Sequence, residues 1–98
     1  MKDPVKVSGD IYKVLFENKQ IRILDFKLKK GKKDEMHSHP SLVFCTVKGG
    51  KMKMRLPGGK EGVASFKDGE VGFQDPIKMH SMENIGKTDI HSILIELK

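Results

Sequence analysis

The sequence predicts an all-β fold of short antiparallel strands. Three observations lead there. Apolar and polar residues alternate with period two along most of the chain, glycine-bearing turns recur at short intervals, and no stretch carries the apolar stripe of a helix.

Taken in order, residues 1–10 show no periodicity and read as an irregular lead-in. Ile11 to Phe16 is a β-rich run that ends at the turn signal Asn18-Lys19. Leu24, Phe26 and Leu28 then alternate with Asp25, Lys27 and Lys29 up to Lys30-Gly31. Ser41 to Val47 is apolar on both parities and stops at Gly49-Gly50, as expected of a strand covered on both faces. Lys51 to Leu56 gives the clearest alternation, with Met52, Met54 and Leu56 on one face and cations on the other. Pro57-Gly58-Gly59, Asp68-Gly69 and Asn84-Ile85-Gly86 mark turns in the second half of the chain, and Ile90 to Leu97 is the final run.

A chain of 98 residues is expected to form one domain with a modest core. With 37% apolar and 33% charged residues it has the balance of a globular protein. No apolar run reaches membrane-spanning length, so no membrane association is expected. Met1-Lys2-Asp3-Pro4 lacks a secretory signature, and the single Cys45 cannot close an internal disulfide; both favour the cytoplasm. The net charge is +6, yet of 19 basic residues only Arg22 and Arg55 are arginine. Base-edge readers want arginine forks and single-strand binders want aromatic platforms, so no nucleic-acid partner is expected. The lysines around Gly31 (Lys27, Lys29, Lys30, Lys32 and Lys33) read as a solvated strand edge.

Chemistry concentrates in the histidines. His37 and His39 lie two apart in Met36-His37-Ser38-His39-Pro40, so in an extended segment both imidazoles project from one face. The pair alone equally marks two polar residues near a strand end. Firm metal binding needs a third ligand from elsewhere, and His80, in Lys78-Met79-His80-Ser81-Met82-Glu83-Asn84, is the candidate.

The order of these features resembles the cupin superfamily. Gly31, five residues, His37-x-His39 and a strand ending at Gly49-Gly50 resemble its first motif. Gly69, a strand, then His80 with Asn84 four positions on resemble its second, and Lys51 to Lys67 is similar to the intervening hairpin. The resemblance runs from about Tyr12 to Lys98. It is nearest to small stand-alone cupins with a Glu-Leu-Lys tail, here Glu96-Leu97-Lys98, a type associated with β-alanine breakdown. It implies a double-stranded β-helix, a jelly-roll barrel of antiparallel sheets. It also implies that His37, His39 and His80 face the interior as ligands of one divalent metal ion: iron, nickel, zinc or manganese.

The pattern departs from the family in two places. The glutamate expected four residues after the second histidine is replaced by Val43, and the next position holds Phe44. In the second motif Asp75 takes the proline slot, with Pro76 one place late, and Ile77 takes the glycine slot. Three neutral imidazoles leave a dication uncompensated, so the site should favour a small anionic ligand. Three-histidine cupin sites resemble those of iron-dependent diketone-cleaving and thiol dioxygenases. Two readings are open: an oxygen-dependent metalloenzyme, and a non-catalytic metal- or ligand-binding barrel.

If Val43 occupies the inward slot, Cys45 and Val47 share its inward parity and Leu42 and Phe44 point outward. Cys45 is then a small core residue or a thiol beside the metal. His91, on the parity of Ile93, Ile95 and Leu97, is either a second-sphere donor or a plain sheet-face residue. Met36, Met52, Met54, Met79 and Met82 supply soft apolar packing, and Tyr12 and Phe73 are candidates to shape the pocket. Gln74, Asp75 and Glu83 are the polar neighbours of His80 in sequence, with no role assigned. The apolar outer parity of the Ser41 to Val47 strand predicts a homodimer.

Overall fold

A computed structural model describes residues 2–98. The lead-in is more ordered than its sequence suggests. Pro4–Val7 form one helical turn, α1, with Pro4 in the first turn and the Asp3 carboxylate accepting from Val5 N at 2.9 Å. Asp3 therefore caps the turn, as a short polar side chain at a helix N-terminus can.

Among the described residues the strands are β1 (Tyr12–Glu17), β2 (Ile21–Leu28), β3 (His37–His39), β4 (Leu42–Lys48), β5 (Gly50–Arg55), β6 (Glu61–Phe66), β7 (Val71–Gln74), β8 (Ile77–Asn84) and β9 (Ile90–Leu97). They form a five-stranded sheet, β1-β2-β9-β4-β7, and a four-stranded sheet, β3-β8-β5-β6. Every pairing is antiparallel. β5 and β6 make the expected hairpin, turned at Pro57–Gly59 where Gly58 and Gly59 hold positive φ.

The inner faces pack together. Tyr12, Leu24, Phe26, Leu28, Leu42 and Leu94 come from the five-stranded sheet, and Met52 and Met82 from the other. Leu24 and Leu28 lose all contact with water, which stabilises the fold by about 1.5–3 kcal/mol each. Asn84 is also buried. Its amide donates to Leu28 O at 2.9 Å and Thr88 O at 2.8 Å and accepts from Gly86 N at 3.0 Å, fastening the β8–β9 turn to β2.

The parity of β4 corrects one expectation. Leu42, Phe44 and Thr46 face inward, while Val43, Cys45 and Val47 lie on the outer face. Gly72 fixes this register. It pairs with Phe44, and a Cβ there would sit 2.4 Å from the Phe44 ring. The apolar replacement of the expected glutamate is therefore Phe44 rather than Val43, and Cys45 cannot reach the interior. On β9, Ile90, Ser92, Leu94 and Glu96 turn inward and His91 turns out, the sheet-face alternative of the two.

Candidate metal centre

His37 and His80 are paired residues on the antiparallel strands β3 and β8. Opposite residues in such a pair project from the same face, so one register places both imidazoles inside. His39 joins them two residues along, where a register shift on the β8 side pairs it with Ile77. The rings lie 4.6 Å (His37–His39), 4.6 Å (His37–His80) and 5.4 Å (His39–His80) apart between centroids. One nitrogen from each falls within 4.8 Å of the others, and all three residues are buried. The structure thus brings the three predicted residues together.

Hydrogen bonds set which nitrogen each ring can offer. His37 Nδ1 lies 2.7 Å from Glu35 O, an atom that only accepts, so Nδ1 carries the proton and Nε2 keeps a free lone pair. His39 Nδ1 lies 2.9 Å from Glu96 Oε2, which leaves its Nε2 free in the same way. His80 has no hydrogen-bond partner for either nitrogen among the described residues. An orphaned buried imidazole costs about 1–3 kcal/mol, so the arrangement fits a cation that accepts its lone pair.

Electrostatics agree. Burial, reinforced by His37 and His39, pushes the His80 pKa down to about 3. Burial likewise takes His37 down to about 4. Both rings are neutral at physiological pH, the form that ligates metals.

Carboxylates stand behind the histidines, and the sequence reading missed both. Glu96 Oε1 accepts from Arg22 Nε at 2.8 Å, and the Arg22 guanidinium continues to Asp3 at 2.9 and 3.1 Å. Burial would raise the Glu96 pKa, but the bonds from His39 and Arg22 hold it below the usual range. The tail glutamate, on the inward parity of β9, thus orients a candidate ligand. Asp34 is buried, accepts from Met82 N at 2.7 Å and from the Tyr12 hydroxyl at 2.7 Å, and is raised by burial to about 6. Tyr12 Oη lies 3.2 Å from His37 Nε2. Nothing in the local pattern marked Asp34, which sits in the irregular stretch before β3.

The other candidates fall elsewhere. His91 is on the outer face, 2.5 Å from Asp25 Oδ1. Phe73 is 59% exposed and shapes no interior pocket. Asp75 is exposed, and Glu83 pairs with Arg55 at 2.9 Å. Gln74 does line the cavity next to the histidines.

That cavity has a volume of about 250 Å³. Phe26, Leu42, Phe44, Met52, Met54 and Leu94 give it an apolar wall, and Tyr12, His39, His80, Gln74 and Ser92 are its polar points. No lysine or arginine lines it, so the positive net charge is not focused there. A wider open depression of about 730 Å³ at the rim shares His39 and Ile77 with it.

Two packed antiparallel sheets enclosing an interior histidine group define a cupin-type double-stranded β-helix with a candidate metal centre. Solved structures show the same fold. A cupin domain from Bordetella pertussis Tohama I superimposes with a TM-score of 0.81 at 19% identity, over 90% of this chain and 92% of that one. An RmlC-like cupin family protein from Methanocaldococcus jannaschii gives 0.69 at 15%, over 89% and 78%. An uncharacterised conserved protein with a double-stranded β-helix domain from Klebsiella pneumoniae gives 0.68 at 18%, over 89% and 75%. No family profile and no curated protein matches the sequence. No helix among the described residues is long and apolar enough to cross a membrane.

Proposed function

We propose that this protein binds one divalent metal ion per chain through His37, His39 and His80. The ion in turn captures a small ligand with one anionic, metal-seeking head. The carrying observation is the convergence of three buried imidazoles, one of them with no hydrogen-bond partner among the described residues. Imidazole donors suit zinc, iron and nickel, with manganese the remaining option, and metal supply decides among them. The cavity wall adds a size and polarity limit. About 250 Å³ without a cation favours a few-atom ligand whose body is apolar and whose charge is met by the ion.

The activity this arrangement supports best is oxygen-dependent cleavage or oxidation of such a metabolite, as in three-histidine dioxygenases. The non-catalytic reading is favoured by Phe44, which fills the inward slot of the missing carboxylate with an apolar ring. Only Glu96-Leu97-Lys98 supports the stand-alone, β-alanine-associated type, and Glu96 has a local role that explains it without that association. We further place the protein in the cytoplasm on its lone Cys45, and read it as a single cupin domain acting as a homodimer.

Elemental analysis of protein purified without a nickel column tests the metal. One metal ion per chain, lost in His37→Ala, is the expected result. A wild-type protein that stays empty after iron, nickel and zinc loading sinks the reading. Oxygen uptake by the iron-loaded protein with a panel of diketones, thiols and small acids then separates enzyme from binding module.

A further inference from the structure

Tyr12 is 2% exposed at the start of β1, and its hydroxyl points into the histidine group. Proton accounting around it is unusual. His37 Nε2 carries no proton, because the single proton of the neutral ring lies on Nδ1 against Glu35 O. The single Tyr12 proton lies in the 2.7 Å bond to Asp34 Oδ2. With that proton held chiefly by Asp34, the 3.2 Å contact between Tyr12 Oη and His37 Nε2 is a weaker, shared hydrogen bond, and both atoms face the histidine group. A cation placed between them would take a lone pair from each.

The spacing suits one. With metal–donor bonds of about 2.0–2.1 Å, two donors on one ion stand about 2.9 Å apart at a right angle and about 3.4 Å apart at the tetrahedral angle. The observed separation falls between these limits.

We infer that Tyr12 Oη is a fourth protein ligand to the metal held by His37, His39 and His80, standing in for the glutamate that Phe44 displaces. The inference rests on the three-histidine reading. On metal binding the Oη–H bond breaks, its proton passes along the existing hydrogen bond to the Asp34 carboxylate, and the freed oxygen pair bonds to the ion. The protein's net charge does not change in that transfer. One negative charge moves from Asp34 to the donor atom, and the second charge of a dication is left for the anionic ligand. Asp34 is a positioning residue here, kept in place by its bond from Met82 N.

Ferric iron alone is the probe. Tyr12 is the only tyrosine in the sequence, so any phenolate-to-iron band must come from it. Metal-free wild-type protein loaded with one ferric ion per chain is expected to show a visible charge-transfer band, with tyrosinate vibrations on resonance Raman excitation into it. Tyr12→Phe should keep the three histidines, lose the band and bind iron about tenfold or more weakly. If that variant fails to fold, the wild-type spectrum decides alone. Stoichiometric iron with no such band overturns the Tyr12 assignment and leaves the three-histidine site standing. No iron uptake by wild type overturns both.

Discussion

Glu96 divides its two oxygens between a candidate ligand and a cation: Oε2 lies 2.9 Å from His39 Nδ1, and Oε1 lies 2.8 Å from Arg22 Nε. Through Arg22 the chain of contacts reaches Asp3, the cap of α1. A residue at the far end of the sequence and another in the lead-in thus jointly aim one imidazole. A carboxylate behind a ligating histidine fixes its tautomer and raises its basicity.

Glu96→Gln keeps an acceptor for His39 but removes the charge. Affinity for zinc or ferrous iron is expected to fall about 10–100-fold, read by competition with a chromophoric chelator. Fold stability should fall by about 1–3 kcal/mol, because Arg22 loses a charged partner that is 3% exposed. Unchanged metal affinity would remove Glu96 from any functional role.

His80 carries the opposite trade between function and stability. Its two nitrogens have no partner among the described residues, so metal-free protein bears their desolvation cost. His80→Leu should abolish metal binding and yet raise the melting temperature of the metal-free protein. A gain of about 1 kcal/mol corresponds to about 4–8 °C for a chain of this size. A metal-free variant that melts below metal-free wild type would show that His80 serves packing.

Acid should unfold the metal-free protein through these histidines. His37 falls to about 4 and His80 to about 3 in the fold, against 6.5 when exposed. Between pH 6.5 and 4 the unfolded chain therefore binds more protons than the native one, and stability falls as pH falls. Asp34, raised by burial from 3.8 to about 6, works against this between those two values, since the native state holds its proton more tightly. Two histidines outweigh one aspartate, so melting temperature should decline from pH 7 to pH 4. His80→Leu should flatten that decline, and a flat wild-type profile contradicts the assignment.

The histidine group was legible because it rests on two local signals, an i, i+2 pair and a third histidine after a turn. Strand alternation carried most of the fold, including the Met52 and Met54 face that lines the cavity. What failed was absolute parity. Ser41 to Val47 is apolar at nearly every position, so alternation cannot say which half faces in, and the contact between Phe44 and Gly72 decides it. In the Ile90–Leu97 run polar residues fall on both parities, so alternation does not set its facing either, which hides Glu96 and leaves His91 a candidate for the interior. Asp34 and the Asp3–Arg22–Glu96 chain join residues 19 to 74 positions apart, a separation no local pattern encodes.

The outer face of the five-stranded sheet makes the last prediction. Strand register aligns Phe73, Val43, Ile95, Ile23 and Phe16 in one row across it, and Val71, Cys45 and Ile93 in the next. Phe73 is 59% exposed, Val71 64% and Phe16 52%. A contiguous apolar sheet face of this kind on a small protein marks an interaction surface, and a second copy laid across it buries the same residues twice. Wild type is expected to sediment at twice the chain mass at micromolar concentration. Ile95→Lys, at the centre of the longer row, should yield monomers that keep the metal site, because Ile95 points away from the cavity. A monomeric wild type at that concentration ends the dimer reading, whereas a dimeric Ile95→Lys protein moves the interface to another surface.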